Sequence, residues 1–79
     1  MELQTISQVS KIYKISTRTL RYYEEIGLIE SLKKEGYAYR TYDDEVIKRL
    51  KQIIILRKLR LSLKEIEQIL KNNEMSYDI

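Results

Sequence analysis

Few of the side chains that carry catalysis occur in this sequence. It contains no His and no Cys, so the commonest proton shuttle and the thiolate nucleophile and metal ligand are missing. Asp43, Asp44 and Glu45 are adjacent, but neighbouring positions on a helix do not face one another and cannot converge on one metal ion. Capping of a helix start explains them more simply. The residue types therefore argue against an enzyme, a bound metal and any other cofactor.

Positive charge is the more informative feature. The 79 residues include 15 Lys and Arg against 12 Asp and Glu, a net charge of +3. The excess is concentrated in the middle, since residues 43–60 carry six basic and three acidic side chains. Such an excess favours an acidic partner. The predicted basic zone consists of Lys33, Lys34, Arg40, Lys48, Arg49, Lys51, Arg57, Lys58 and Arg60.

Two short helices are predicted in the first third of the chain. A capping-box pattern at residues 5–8 starts the first helix, which ends near residues 14–15. Ser16 then caps a second helix that ends at Gly27. Two short helices joined by so tight a turn are typical of a helix-turn-helix.

The remainder is predicted to contain a hairpin and two further helices. Residues 28–32 and 37–42 favour extended structure and predict a β-hairpin. Asp43 caps a third helix, and a second capping box at residues 62–65 starts a fourth, which Asn72 and Asn73 end. The buried positions expected on these two helices are Val46, Ile47, Leu50, Ile53, Ile54, Leu63, Ile66, Ile69 and Leu70.

The second helix carries the best candidates for contact with a nucleic acid. A helix-turn-helix can place its second helix in the major groove, where residues near the helix start meet base edges. Thr17 and Arg18 lie at that start, and Arg21 lies one turn further on. The alternative is a solvated face on which the two arginines pair with Glu24 and Glu25. Helical spacing alone does not decide between them.

Tyrosine is the other unusual feature. The chain has seven Tyr but no Phe and no Trp, a bias that favours side chains with a hydroxyl. Tyr22, Tyr39 and Arg40 are candidates to bind phosphate oxygens, which would fix the register of the protein on a duplex. The tyrosines expected to be half-buried, with hydroxyls that reach water or backbone, are Tyr13, Tyr23 and Tyr42. Tyr37 could either bind a phosphate or be half-buried in this way.

Three sequence blocks occur in a characteristic order. They are TLRYYEEIGLI at residues 19–29, YRTY at residues 39–42 and RKLRLSLKEI at residues 57–66. Together they strongly resemble the DNA-binding domain of MerR-family transcriptional regulators. The resemblance implies a mainly α fold, a winged helix-turn-helix of four helices with a small β-hairpin wing, over residues 1–71. Residues 72–79 would be a tail or the start of a linker to an absent dimerisation helix and effector domain.

The resemblance also implies a function. It implies binding to double-stranded operator DNA in a promoter, which is bent and untwisted so that RNA polymerase can engage it. The full-length protein would be a homodimer, whereas this chain alone is expected to be a monomer. The implied major-groove contacts are Thr17, Arg18 and Arg21, and the implied phosphate contacts are Tyr22, Tyr39, Arg40 and Arg57.

The chain departs from the family pattern at a few positions. Lys14 and Arg60 stand where the family often has Gly, and Ser31 stands where Pro is common. The wing sequence at residues 37–40 is one residue longer than in many members. The wing contacts are therefore less firmly implied than those of the second helix.

Two other classes of function stay open at this stage. One is a DNA-architectural or recombination accessory protein of the excisionase type, and the other is a helical protein-interaction module that uses the apolar surface of residues 53–56. That apolar run is far shorter than the roughly 18 residues of a membrane span. We therefore expect a cytoplasmic protein without a membrane partner.

Overall fold

The fold consists of four helices and a small antiparallel sheet. The structure is a computed structural model, which describes residues 3–33 and 40–75, with side chains up to residue 72. In chain order its elements are β1 (Gln4–Thr5), α1 (Ile6–Tyr13), α2 (Thr17–Glu25), β2 (Thr41–Tyr42), α3 (Asp44–Lys58) and α4 (Leu63–Met75). No helix in these two segments is long and apolar enough to span a membrane.

The helix starts follow the predicted caps. Two of them are full capping boxes, in which Thr5 and Gln8, and likewise Ser62 and Glu65, exchange bonds between backbone N–H groups and side-chain oxygens at 2.8–3.2 Å. The bonds from Ser62 lower the pKa of the exposed Glu65 carboxyl. Each cap stabilises its helix by about 1 kcal/mol. The other caps are the Ser16 hydroxyl, which accepts from the N–H of Thr19, and the Asp43 carboxylate, which accepts from the N–H of Val46.

Three helices end at a residue in the left-handed backbone conformation. After α2 this residue is Gly27, with φ of 85°, and the N–H of Leu28 reaches back to the carbonyl of Tyr23 at 2.9 Å. After α1 and α3 it is Lys14 and Arg60, with φ of 56° and 66°. Both residues stand at positions where the family that the sequence resembles often has Gly. A side chain there costs about 1–2 kcal/mol.

The last helix is longer than the sequence predicts. It continues through Asn72 and Asn73 to Met75, so the expectation that the two asparagines end it is wrong. Asn lowers helix propensity by only about 0.7 kcal/mol relative to Ala. That is too little to stop a helix whose preceding turns are fixed in the core by Ile66 and Leu70.

The sheet differs from the predicted hairpin. Only its base lies in the described residues, where Leu32 and Thr41 exchange two backbone hydrogen bonds of 2.7 and 2.8 Å. The strand expected at residues 28–32 is reduced to this bridge, because the chain after Gly27 turns into the core. Strand β1 pairs with β2, Gln4 opposite Tyr42, and was not predicted, since two residues carry no periodicity.

One hydrophobic core joins the helices and the sheet. Ile47, Leu50, Ile53, Ile66 and Leu70 are buried as predicted, whereas Val46, Ile54 and Leu63 pack at its edge. Ile69, also predicted to be buried, is only half-buried. Each fully buried aliphatic side chain contributes about 1.5–3 kcal/mol, so this core fixes α2 relative to β2 and α3. The buried hydrophobic residues are Val9, Leu20, Tyr23, Leu28, Ile29, Tyr42, Ile47, Leu50, Ile53, Ile66 and Leu70.

Candidate nucleic-acid interface

The two faces of α2 differ sharply in exposure. Leu20 and Tyr23 are buried, and they fix the rotation of the helix about its axis. Arg18, Arg21 and Tyr22 are exposed, with almost half of the Tyr22 surface accessible. Because residues three and four apart lie on the same side of a helix, Arg18 is adjacent to both Arg21 and Tyr22. Thr17, at the capped end of the same helix, is half-buried.

The arginines of α2 are not neutralised by the acidic residues of their own helix. In the described segments neither Arg18 nor Arg21 forms an ion pair, and Glu24 pairs instead with Arg40. The pairing of these arginines with Glu24 and Glu25, which the alternative proposed, is therefore not found in the described segments. Both guanidinium groups stand free to meet a phosphate or a base edge.

The Glu24 carboxylate is the centre of a polar cluster beneath this surface. Its Oε1 accepts hydrogen bonds from the Ser31 hydroxyl at 2.5 Å and from Arg40 Nη1 at 3.2 Å. Its Oε2 accepts from the Tyr42 hydroxyl at 2.7 Å. We call Glu24, Ser31, Arg40 and Tyr42 the Glu24 cluster. It connects α2 to the chain on both sides of the predicted wing.

Exposure changes steeply across the cluster. Tyr42 is completely buried, the Glu24 side chain is 10% exposed and the Arg40 side chain is 63% exposed. The cluster therefore leads from the core to the surface, and Arg40 is its outermost member. Tyr42 was expected to be half-buried with its hydroxyl directed to water or backbone, which is wrong, because its hydroxyl binds a carboxylate.

The Tyr42 phenol lies among charged side chains of the site. Burial and the hydrogen bond to Glu24 raise the pKa of the Tyr42 phenol, so the phenol is a neutral donor at physiological pH. The charges of Arg40 and Arg21 act on the same phenol in the opposite direction. Arg40, which pairs with Glu24, and Arg21, one helical turn before Glu24, therefore both lie within electrostatic range of this phenol.

The remaining candidates lie elsewhere. Arg57 is exposed in the last turn of α3, where its Nη1 donates to the carbonyl of Leu61 at 3.0 Å. The 15 residues of α3 span about 22 Å, so Arg57 lies far from the wing base at the start of that helix. Tyr39 and Tyr37 fall outside the described residues.

Two functional features escaped the sequence reasoning. Glu24 follows Leu20 by one helical turn, and this spacing could have indicated that it faces the core edge rather than solvent. Arg49, assigned to the basic zone, is half-buried, and its Nε donates to the carbonyl of Leu28 at 2.6 Å. It joins α3 to the segment after α2, so one charge of the zone has a structural role.

This arrangement defines a helix-turn-helix domain whose second helix has exposed arginines on its outer face. The chain matches the family model described as "MerR HTH family regulatory protein" over residues 4–73, and it therefore belongs to that family. It is a MerR-type helix-turn-helix DNA-binding domain, homologous to transcriptional regulators.

Relatives and a solved structure agree with this assignment. The chain is 39% identical over 66 residues to the "Transcriptional regulator BrlR" of Pseudomonas aeruginosa, covering 82% of this chain and 24% of that protein. It is 41% identical over 58 residues to the "HTH-type transcriptional regulator AdhR" of Bacillus subtilis, covering 73% and 41%. The crystal structure of the HTH-type transcriptional regulator SkgA from Caulobacter crescentus superimposes with a TM-score of 0.76 at 34% identity, covering 86% of this chain and 49% of SkgA. The chain thus spans less than half the length of these proteins.

These comparisons also bear on the alternatives. The named relatives are transcriptional regulators, which supports the regulator over an architectural protein or an interaction module. The four helices and the small antiparallel sheet agree with the structural similarity to SkgA and with a winged helix-turn-helix.

Proposed function

We propose that this chain binds double-stranded promoter DNA in a sequence-specific manner, as the DNA-binding part of a transcriptional regulator. The observation that carries the proposal is the outer face of α2, where Arg18, Arg21 and Tyr22 are exposed while Leu20 and Tyr23 are buried. A helix fixed in this orientation can enter the major groove with its capped end first. Thr17, Arg18 and Arg21 would then meet base edges.

Four further side chains are proposed to contact phosphates. Tyr22 lies on its exposed side, and Arg40 is held beside it through Glu24. We propose both as phosphate contacts, together with Tyr39 of the predicted wing and Arg57 at the end of α3. Contacts to both sides of a groove fix the register of the protein on the duplex.

Action on transcription is proposed on the same basis. The bound operator is bent and untwisted, which changes the spacing that RNA polymerase meets, without a catalytic step or a cofactor. We propose residues 1–71 as the DNA-binding domain, with α4 crossing the boundary to the 72–79 segment, and a homodimer in the full-length protein. Such a protein works in the cytoplasm, where its DNA is.

Binding to promoter DNA at several salt concentrations tests the proposal. Fluorescence anisotropy would compare a duplex from upstream of the protein's own gene with a scrambled duplex of equal composition. We expect tighter binding to the promoter duplex. Equal binding to both duplexes would favour the architectural alternative, and no binding to either would favour a protein-interaction module.

Arg18→Ala is the variant that tests the recognition helix. If Arg18 reads a base, we expect its loss to reduce the preference for the promoter duplex by about 1–3 kcal/mol. Lys71→Ala is the matched control, since Lys71 is an exposed cation on α4 that pairs with Glu67. An equal loss of preference in both variants would contradict the assignment of Arg18.

A further inference from the structure

We propose that Glu24 is a positioning residue for DNA binding, which holds the Arg40 guanidinium in the orientation that meets a phosphate. The inference rests on the proposed function, since it requires Arg40 to contact DNA. An acidic side chain is expected to repel DNA, but here Glu24 is assigned a role that supports DNA binding.

The first argument is that two hydrogen bonds other than that of Arg40 fix the position of the Glu24 carboxylate. The Tyr42 hydroxyl, fully buried, binds Oε2, and the Ser31 hydroxyl binds Oε1. Two donors on two oxygens leave the carboxylate little freedom to rotate. Arg40 therefore binds an acceptor whose position is already set by the core.

The second argument is the number of donors left on Arg40. A guanidinium group has five N–H donors, and Arg40 uses Nη1 for Glu24. The side chain is 63% exposed, so a phosphate can approach it from solvent. A planar guanidinium can bind a carboxylate along one edge and a phosphate along another.

The third argument is where Glu24 lies in the chain. It lies on α2, one turn after Arg21, and it contacts residues on both sides of the wing, Ser31 before it and Arg40 after it. A single side chain therefore sets the distance between the groove-binding helix and the wing cation. Loss of Glu24 should remove the Arg40 contact while leaving the contacts of α2 in place.

A competing role makes the opposite prediction. If Glu24 competed with phosphate for Arg40, its neutralisation would free the cation and tighten binding. A general gain in net positive charge would also tighten binding. Glu25→Gln provides the matched control for this charge effect, because Glu25 is the adjacent exposed residue of the same helix.

The experiment is a double-mutant cycle on the 79-residue chain with promoter duplex DNA. Binding is measured across a salt series for wild type, Glu24→Gln, Arg40→Ala, the double variant and Glu25→Gln. We expect Glu24→Gln and Arg40→Ala each to make the negative slope of log K against log salt less steep by about 0.9, the value of one phosphate contact. The double variant should lose no more than either single variant, and Glu25→Gln should show no such loss.

Three results of this cycle would overturn the inference. They are tighter binding of Glu24→Gln, an equal change in Glu25→Gln, or additive losses in the double variant. Thermal melting of each variant checks that binding is measured on folded protein. Ser31→Ala, which keeps the carboxylate and removes one of the donors that orient it, gives a second cycle with Arg40→Ala, and additivity there also overturns the inference.

The outcomes separate this inference from the proposed function. If the wild-type chain shows no binding to DNA, both fail together. If it prefers the promoter duplex but the losses from Glu24→Gln and Arg40→Ala add, only the positioning role fails.

Discussion

Tyr42 shows how a single phenol can connect the core to the binding surface. It is completely buried, yet its hydroxyl donates to Glu24 at 2.7 Å, so the core contains one end of a polar chain that reaches Arg40. Helical spacing predicted the outward positions of Arg18, Arg21 and Tyr22, because it reports on one helix. It did not predict the Glu24 cluster, because that cluster joins segments up to 18 residues apart.

Alkaline pH provides a test of Tyr42. Its pKa is raised in the fold, so the folded state keeps a proton that the unfolded state loses above the ordinary Tyr value of about 10. The Tyr42 phenol therefore makes its full contribution to the free energy of unfolding below that pH. As pH rises beyond it, this contribution falls by up to about 1.4 kcal/mol per pH unit. Denaturant unfolding over this range should show that Tyr42→Phe lacks this part of the pH dependence.

A second tyrosine serves as the control. Tyr22→Phe changes an exposed phenol and should retain the pH dependence of the wild-type protein. At neutral pH the free energy of unfolding of Tyr42→Phe should be lower than that of wild type by about 1–3 kcal/mol, because Glu24 is left with one donor fewer in a nearly buried site. Identical alkaline behaviour of wild type and Tyr42→Phe would contradict the role of the phenol.

At the scale of secondary-structure elements, the starts of helices were easier to predict than their ends. Helix starts are set by side chains within three residues, as in the pairing of Ser62 with Glu65, so the sequence displays them. Ends depend on tertiary packing, and α4 accordingly passes Asn72 and Asn73. Strand β1 is recognisable only through its partner, since Gln4 and Thr5 form a strand because Thr41 and Tyr42 lie beside them.

The end of α3 gives a prediction on stability. Arg60 occupies a left-handed conformation with φ of 66°, and the N–H groups of Arg60 and Leu61 reach back to the carbonyls of Arg57 and Leu56. We expect Arg60→Gly to stabilise the fold by about 1 kcal/mol, since glycine adopts this conformation without a steric penalty, although its greater freedom in the unfolded chain offsets part of the gain. Urea unfolding measures the change.

Alanine at the same position separates the backbone effect from the loss of charge. Arg60→Ala removes the same cation but retains a Cβ atom, so its stability should stay within about 0.5 kcal/mol of wild type. If the glycine and alanine variants were equally stable, backbone strain at this turn would not be the cause.

At the scale of the whole molecule, the described segments expose only a few large apolar side chains. Two of them, Ile55 on α3 and Leu59 at the C-cap of that helix, lie one turn apart. A stable dimer needs about 800 Å² from each partner, more than two side chains supply. The large apolar residues exposed in the described segments are Ile12, Tyr22, Leu32, Ile55 and Leu59.

We therefore expect the 79-residue polypeptide to be a monomer in solution. Sedimentation velocity at micromolar concentrations should give a single species near the chain mass of 9.6 kDa. A species of twice this mass that dissociates on dilution would show that an interface exists which the exposed side chains do not reveal.

The position of β1 has a practical consequence for handling the protein. This strand runs antiparallel to β2, from Gln4 opposite Tyr42 to Thr5 opposite Thr41, so its first residue is the one further from Arg40. An affinity tag or fluorescent fusion joined before Met1 would therefore precede the end of β1 that lies away from that arginine. Labels for binding assays are accordingly best attached before Met1.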